Sequence, residues 1–227
     1  MKAQRPFRTL IFDLDGTLVN TIGDITHSLN LTLREYGFPP INETRCTEYV
    51  GHGIANLIRT AFRTAAAAKR NHSLSEDQIS EYLQRYLQIY GDHYLDHSAP
   101  YPGVVDTLAQ LQDFQMAVVS NKSYSFTSQV IKHTKLEQYF RIVLGGDSLP
   151  HKKPAPEPLL YVLEKLGGSP METLMIGDGD TDMQAAKAAG IRCCAVSYGY
   201  RPKQQLLEYR PDFIIDDFRQ LVPIVLT

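Results

Sequence analysis

The chain has 227 residues, of which 43% are hydrophobic and 21% are charged, and this composition is typical of a globular protein with a substantial core. The formal net charge is −2, so no basic field predicts binding to nucleic acid or to an anionic membrane. No apolar run approaches the length of a membrane span, and we expect neither a spanning helix nor a secretory signal.

Short apolar runs alternate with helical periodicity along most of the chain. This alternation predicts an α/β fold, in which a doubly wound parallel sheet carries helices on both faces. The predicted strands are residues 9–12, 116–119, 142–144, 174–176, 193–196 and 213–215, and the predicted helices between them are 104–114, 124–132, 158–166 and 181–189.

One long interval breaks this alternation. Residues 17–97 show helical periodicity and no convincing strand, and Ser75 followed by Gln78 resembles a capping box at a helix start. We therefore expect an all-helical cap domain at 17–97, inserted into a core domain formed by 1–16 and 98–227. The aromatic residues of this interval are expected to pack in its core.

The three cysteines are Cys46, Cys193 and Cys194. Their number is odd, they have no metal-binding spacing, and the adjacent pair lies in an apolar run. These features predict buried thiols in a protein of the reducing cytoplasm.

Polar residues follow several predicted strands directly. In a parallel sheet the carboxyl ends of the strands form one edge, where ligands bind, so residues far apart in sequence can converge there. Carboxylates, a hydroxyl, an amide and an ammonium group together suit phosphoryl transfer with a divalent cation. The residues concerned are Asp13 and Asp15, then Ser120 and Asn121, then Lys153, and finally Asp178.

Four motifs occur in order along the chain and resemble those of the haloacid dehalogenase superfamily. Asp-Leu-Asp-Gly-Thr at 13–17 resembles the first motif, and Ser-Asn-Lys at 120–122 the second. Lys-Pro at 153–154 resembles the third, and Gly-Asp-Gly-Asp-Thr-Asp at 177–182 the fourth. Within the superfamily the chain is similar to the phosphoglycolate phosphatases, which implies a Rossmann-like core.

The resemblance implies a catalytic pair of carboxylates. Asp13 would attack phosphorus and form an aspartyl phosphate. Asp15 would protonate the departing alkoxide and then take a proton from the attacking water. Mg²⁺ would be held by Asp13, by the backbone carbonyl of Asp15 and by Asp178.

The resemblance also implies roles for the residues around the phosphate. Ser120, Asn121 and Lys153 would hold phosphate oxygens, and Asp182 would support the water shell of the metal and also orient Lys153. These roles agree with elementary chemistry, because a carboxylate can approach a phosphate dianion only beside positive charge.

The segment 50–58 resembles the substrate loop of phosphoglycolate phosphatases. Gly51, His52 and Gly53, together with Lys122, are therefore candidate specificity residues for a small-molecule phosphate ester, with 2-phosphoglycolate the favoured substrate. Inorganic pyrophosphatase, sugar-phosphate phosphatase and mutase activities remain alternatives, as does a non-catalytic binding protein. The protein is expected to be a monomer or a homodimer.

Two other motifs, a calcium-binding loop and a dinucleotide-binding turn, are each only partly matched by the sequence. Asp178, Asp180 and Asp182 are spaced like the start of a calcium loop, but Met183 stands where such a loop needs glycine and Ala189 where it needs glutamate. The Gly-x-Gly segments at 51–56 and 177–182 both lack the third glycine of a dinucleotide-binding turn, which argues against hydride transfer.

Overall fold

A computed structural model describes residues 6–68 and 73–227. The chain forms two compact units, one comprising Met1–Asn20 with Ala99–Thr227 and the other Thr21–Ser98. Residues 1–5 of the predicted core domain and 69–72 of the predicted cap lie outside the described residues. The first unit contains the sheet and the second is helical.

The first unit is built on a six-stranded parallel sheet with the order β5-β4-β1-β6-β7-β8. A separate two-stranded antiparallel ribbon pairs β2 with β3. The strands are β1 (Thr9–Phe12), β2 (Val19–Asn20), β3 (Ala99–Pro100), β4 (Gln115–Val119), β5 (Ile142–Leu144), β6 (Thr173–Gly177), β7 (Arg192–Val196) and β8 (Phe213–Ile215).

The strand order places β1 at the centre, with its four residues buried. Continuous apolar runs of this kind form strands that are covered on both faces. From β1 the chain continues to β4 and β5 on one side, whereas β6 leads to β7 and β8 on the other. The crevice at the carboxyl ends of β1 and β6 is therefore the topological switch point, where ligands bind in open α/β sheets.

The helices cover the sheet and build the second unit. They are α1 (Ile22–Glu35), α2 (Glu43–Thr47), α3 (Ile54–Ala68), α4 (Glu76–His93), α5 (Val104–Gln110), α6 (Tyr124–His133), α7 (Glu157–Leu166), α8 (Asp180–Ala188), α9 (Lys203–Glu208) and α10 (Leu221–Leu226). Short 3₁₀ turns lie at Glu137–Tyr139, Pro170–Glu172 and Phe218–Gln220.

In the second unit α1 and α3 both pack against α4, and an aromatic cluster lies between them. Phe62 stacks obliquely on Tyr82 with 4.3 Å between ring centroids, and Phe38 meets Phe62 edge-on at 5.4 Å. Helix α4 begins at the predicted capping box, in which Ser75 and Gln78 each bond the other's backbone N–H. The aromatic periodicity of this interval is thus explained by packing.

The α/β fold with a parallel sheet is confirmed, and all six predicted strands are present. The prediction that 17–97 contains no strand is wrong, because Val19–Asn20 forms β2. Two residues show no periodicity, and their partner β3 lies 80 positions further along the chain, so no local pattern reveals the pair. Pairing with β3 also places 17–20 in the sheet unit rather than in the predicted cap.

Two further sequence predictions concern helix length and thiols. The helix predicted at 104–114 ends at Gln110, and Leu111 after it has a non-helical backbone with φ of −100° and ψ of 15°. Cys46, Cys193 and Cys194 are buried and unpaired by disulfides, as expected. Burial raises the pKa of the Cys46 thiol to about 11. No helix within the described part of the chain has the length and apolar character needed to cross a membrane.

Asp24 is a buried carboxylate that links the two ends of the second unit. It lies in the first turn of α1 with 1% of its surface exposed, and it accepts hydrogen bonds from the backbone N–H groups of His97 and Ser98, both at 2.9 Å. The Ser98 hydroxyl donates a third bond at 2.6 Å. One side chain thus joins the start of this unit to its end.

We predict that Asp24→Ala lowers the free energy of unfolding by about 2–4 kcal/mol, because the N–H groups of His97 and Ser98 and the buried Ser98 hydroxyl lose their acceptor. The matched control is Asp92→Ala, which removes an exposed carboxylate of α4 and should change stability by less than about 0.5 kcal/mol. Urea titration followed by circular dichroism suits a chain without tryptophan. Equal stabilities of the two variants would contradict this role of Asp24.

Candidate active site

The first carboxylate of the site comes directly after the central strand. The Asp13 N–H donates to the carbonyl oxygen of Ile176 at 2.9 Å, which extends the pairing of β1 with β6 by one residue. Gly16 then adopts a left-handed conformation with φ of 82°, and Thr17 begins the return of the chain. The turn leaves the side chains of Asp13 and Asp15 14% and 13% exposed.

Asp178 follows β6 on the other side of the same crevice and is 3% exposed. Its Oδ1 accepts a hydrogen bond from the Thr17 hydroxyl at 2.9 Å, and its Oδ2 accepts one from the Tyr200 N–H at 2.8 Å. The loop after β1 and the loop after β7 therefore both orient this carboxylate.

Within the part of the chain that the structure describes, one group of acidic side chains is suited to a metal ion. Asp13, Asp178 and Asp182 each offer a carboxylate oxygen, and these oxygens lie within 4.8 Å of one another. Oxygen donors of this kind suit a hard divalent cation such as Mg²⁺. Asp13 Oδ1 is also buried and accepts no hydrogen bond of good geometry, although it forms an ion pair with the ammonium group of Lys153. The donor set therefore fits the predicted cation.

The crowding of buried carboxylates has an electrostatic consequence. Desolvation raises the pKa of Asp13, and although Lys153 opposes this shift, Asp182 and Asp178 add to it. Desolvation also raises the pKa of Asp178, with Asp182 contributing further. A bound cation would favour the ionised form of both groups.

Lys153 is 2% exposed and lies at the centre of these acids. Its Nζ is 3.0 Å from Asp13 Oδ1, 2.6 Å from Asp182 Oδ1 and 2.5 Å from the carbonyl oxygen of Val119. Burial acts to lower the pKa of this ammonium group, but the attraction of Asp13 and Asp182 outweighs it and the pKa is raised. Lys153 is therefore a fixed positive charge beside Asp13.

Asp182 connects this lysine to the start of α8. Its Oδ2 accepts from the Gly179 N–H at 2.9 Å, which closes the first turn of the helix, while its Oδ1 accepts from Lys153. A carboxylate at a helix N-terminus also interacts favourably with the helix dipole. Asp182 thus contacts Lys153, and its predicted roles toward the lysine and toward the water shell of a metal stay predictions.

The second predicted motif lies after β4. Ser120 is 3% exposed, and its N–H donates to the carbonyl of Leu144 at 3.0 Å on the neighbouring strand β5. The amide of Asn121 donates to the carbonyl oxygen of Lys153 at 2.8 Å, which ties the second motif to the third. Part of the amide's donor capacity, expected to serve phosphate, is therefore used within the protein.

Lys122 makes a contact that the sequence did not predict. It was a candidate for substrate contact, but its Nζ donates to both carboxylate oxygens of Asp15, at 2.9 and 3.0 Å. The lysine side chain is 3% exposed. A spacing of 107 residues separates the two partners, so no local pattern could indicate the pair.

The loop after β7 was also missed. A Cβ atom at Gly199 would lie 2.3 Å from the Asp178 Cβ and 2.5 Å from the carbonyl oxygen of Gly16, so only glycine fits this approach. The hydroxyl of Tyr198 donates to the Thr17 carbonyl oxygen at 2.9 Å. The position of this loop could have indicated a role in the site, since Tyr-Gly-Tyr at 198–200 follows a predicted strand and so lies at the same edge of the sheet.

The predicted specificity loop lies in the helical unit. Gly51 and Gly53 have φ values of 111° and 90°, which favour glycine, and α3 begins directly after them. The carbonyl of Gly53 accepts from the N–H groups of Asn56 and Leu57 at 3.1 Å. The role of His52 in substrate binding stays a prediction.

The strand-end acids, the buried lysine and the parallel sheet define a class of hydrolase. The chain belongs to the haloacid dehalogenase-like hydrolases, whose family model matches residues 10–196. The resemblance predicted from four ordered motifs is thereby confirmed.

Individual relatives narrow the comparison. The chain is 37% identical to phosphoglycolate phosphatase 1 of Pseudomonas aeruginosa, over 98% of this chain and 84% of that protein. It is 36% identical to the phosphoglycolate phosphatase of Pseudomonas putida, over 95% and 79%. The crystal structure of a predicted phosphoglycolate phosphatase from Haemophilus somnus 129pt superposes with a TM-score of 0.91 at 32% identity, covering 96% of this chain and 98% of that one.

We predict that Mg²⁺ stabilises the protein more at about pH 8 than at about pH 5. The pKa values of Asp13 and Asp178 are raised from 3.8 to about 8 and about 7, so the folded metal-free protein binds protons that the unfolded chain releases. Its stability therefore falls as pH rises through this window, and cation binding must displace those protons at the lower pH. Thermal unfolding with and without Mg²⁺ measures both effects.

The variant Asp178→Asn should lose most of the Mg²⁺-dependent rise in Tm, whereas the exposed control Asp92→Asn should keep it. Histidine titration is common to all three proteins and cancels in this comparison. A rise in Tm that is the same at both pH values, or that survives in Asp178→Asn, would contradict a cation site at these carboxylates.

Proposed function

We propose that this protein is a Mg²⁺-dependent phosphatase that hydrolyses a small phosphate monoester through an aspartyl phosphate on Asp13. The observation that carries the proposal is the position of Asp13. It lies at the switch point of the sheet, 3.0 Å from the buried ammonium group of Lys153 and beside two further carboxylates. The hydrolase family of the chain supports the same reaction class.

Asp13 and Asp178 are the side chains proposed to hold Mg²⁺, together with the backbone carbonyl oxygen of Asp15. The cation, when bound, supplies positive charge that stabilises the negative charge on the phosphoryl oxygens. Asp182 is proposed to contribute indirectly, through Lys153 and through waters of the metal. Few carboxylates plus water and substrate oxygens are the environment that Mg²⁺ prefers.

In the first proposed step a carboxylate oxygen of Asp13 attacks phosphorus and the bond from phosphorus to the ester oxygen breaks. The electron pair of that bond goes to the departing oxygen, which takes a proton from the Asp15 carboxyl group. Lys153 and Ser120, with the amide of Asn121, are proposed to donate to the phosphoryl oxygens. Positive charge and donors fixed in advance stabilise the developing negative charge without reorganising.

In the second step water attacks the phosphorus of the aspartyl phosphate. Asp15, now a carboxylate, takes the proton of that water, and the bond between phosphorus and Asp13 breaks to release inorganic phosphate. The Asp13 carboxylate is regenerated. One residue thus acts as acid and then as base, so its carboxyl group must stay in reach of both oxygens.

We propose 2-phosphoglycolate as the substrate. Relatives named for this activity align with nearly the whole chain, which supports the assignment. The sheet unit offers groups for phosphate, metal and leaving oxygen, so a further recognition element must distinguish one small ester from another. Gly51, His52 and Gly53 are the proposed specificity residues, because backbone donors at a helix start suit a carboxylate.

We predict that Asp13→Asn abolishes turnover of 2-phosphoglycolate and of p-nitrophenyl phosphate, since the amide cannot act as the nucleophile. Asp15→Asn should lower kcat for 2-phosphoglycolate by about 10²–10⁴-fold, the usual contribution of general acid–base catalysis. The isosteric control Asp92→Asn, on the exposed face of α4, should keep full activity. Phosphate release measured with and without EDTA checks each protein.

Residual turnover in Asp13→Asn that resists EDTA would refute the proposed reaction. Circular dichroism and a cooperative thermal transition confirm that the inactive variant is folded. If the wild-type protein releases no phosphate from any ester but still binds phosphate, the alternative of a binding protein holds instead.

We predict that 2-phosphoglycolate gives the highest kcat/KM in a panel with pyrophosphate, glucose phosphates, AMP and glycerol phosphate. A tenfold preference for pyrophosphate or a hexose phosphate would correspond to about 1.4 kcal/mol of transition-state stabilisation. Such a result would contradict the substrate assignment and would favour the pyrophosphatase or sugar-phosphatase alternative. His52→Ala should reduce the preference for 2-phosphoglycolate over p-nitrophenyl phosphate.

A further inference from the structure

We propose that Lys122 is a positioning residue, which holds the carboxyl group of Asp15 in the orientation that proton transfer requires. The inference rests on the proposed function, because it needs Asp15 to exchange protons with the leaving oxygen and with water. It assigns to Lys122 a task that differs from the substrate contact expected from the sequence.

The backbone of Lys122 is fixed at three points. Its carbonyl oxygen accepts from the Gly146 N–H at 2.7 Å and from the Thr127 hydroxyl at 3.3 Å, and its N–H donates to the Ser120 hydroxyl oxygen at 3.2 Å. The loop between β4 and α6 is thereby tied to the loop after β5 and to the first turns of α6. The side chain therefore starts from a defined place in the protein.

The ammonium group of Lys122 contacts both oxygens of Asp15 at nearly equal distances, 2.9 and 3.0 Å. A contact to one oxygen would leave the carboxylate able to rotate about its terminal torsion, whereas a contact to both restricts that rotation. The lysine is 5% exposed, so water competes weakly for its charge. The pair thus selects one orientation of Asp15.

Asp15 has a physical reason to need such a partner. It lies two residues from Asp13 in the same turn after β1, and an ionised Asp15 is repelled by the other carboxylates of the site. The ammonium group of Lys122 attracts the Asp15 carboxylate and so opposes this repulsion. Because proton transfer depends on alignment within hydrogen-bond reach, a misplaced carboxyl group loses rate even when it remains in the site.

The test compares phosphate esters whose leaving groups differ in their need for a proton. In the first step the P–O bond breaks, and an alkoxide departs only with a proton, whereas p-nitrophenolate departs as a stable anion. For this mechanism kcat/KM reports the steps up to release of the alcohol, so it isolates the role of Asp15 as an acid. The substrates are 2-phosphoglycolate, ethyl phosphate and p-nitrophenyl phosphate.

We expect Lys122→Met to lower kcat/KM by about 10- to 100-fold for both 2-phosphoglycolate and ethyl phosphate, a part of what general acid catalysis supplies. The value for p-nitrophenyl phosphate should change by less than about threefold. With that substrate a burst of p-nitrophenolate should precede slow turnover, because the second step still needs Asp15 as a base. Lys122→Arg should restore part of the loss, since a guanidinium group can contact both oxygens.

The controls are Lys203→Met, Asp15→Asn and the double variant of Asp15→Asn with Lys122→Met. Lys203→Met removes the ammonium group of a surface ion pair with Asp216 and should leave kcat/KM unchanged for all three substrates. In the Asp15→Asn background, Lys122→Met should add little further loss, because the two residues act as one unit. This double variant also removes the carboxylate that loses its ion pair with Lys122, so it stays informative if Lys122→Met alone is unstable.

Each other outcome overturns the inference. Equal losses for all three substrates would mean that Lys122 supports phosphate binding or the fold, and a loss confined to 2-phosphoglycolate would mean that it contacts the substrate carboxylate. If Lys122→Met has unchanged kinetics in an assay that still detects the defects of Asp13→Asn and Asp15→Asn, Lys122 does not position Asp15. A wild-type protein that hydrolyses no ester would instead refute the proposed function itself.

Discussion

The burial of the Lys153 ammonium group among carboxylates is the interaction on which the site depends. The lysine joins three separate parts of the sheet unit, since it contacts Asp13 after β1, Asp182 in α8 and the carbonyl oxygen of Val119 at the end of β4. A buried charge that lost these partners would be strongly destabilising. The same contacts that make burial of the lysine tolerable therefore fix the position of Asp13, the proposed nucleophile, relative to Asp182.

Carboxylates outnumber the ammonium groups that contact them at this edge of the sheet. Asp13 and Asp182 share Lys153, and Asp15 has a partner in Lys122, whereas Asp178 is held by the neutral donors of Thr17 and Tyr200. Desolvation raises the pKa values of Asp13 and Asp178, and repulsion from the neighbouring carboxylates adds to both shifts. A bound divalent cation would offset this negative charge, so that the crevice would repel the phosphate group of a substrate less. The stability of the metal-free protein and the proposed binding of a cation would therefore favour opposite protonation states of the same carboxylates.

The sequence was sufficient for the parts of the molecule that follow from local patterns. Strands β1, β5 and β8 have the predicted ends, because short apolar runs bounded by polar residues define buried strands. The convergence of Asp13 and Asp178 followed from the rule that parallel strands share one carboxyl edge. Local patterns do not reveal pairings between distant residues. The ribbon of β2 with β3 and the contact of Lys122 with Asp15 depend on the tertiary fold and were not predicted.

The most direct test of the central claim is to trap the covalent intermediate. The protein is mixed with substrate and Mg²⁺, denatured within its turnover time and treated with borohydride, which reduces an acyl phosphate to an alcohol and expels phosphate. Fragmentation mass spectrometry of the peptide spanning β1 and Gly16 then distinguishes Asp13 from Asp15. The account predicts homoserine at position 13 in substrate-treated protein and aspartate there without substrate. Homoserine at another carboxylate, or an active protein in which Asp13 is never modified, would contradict it.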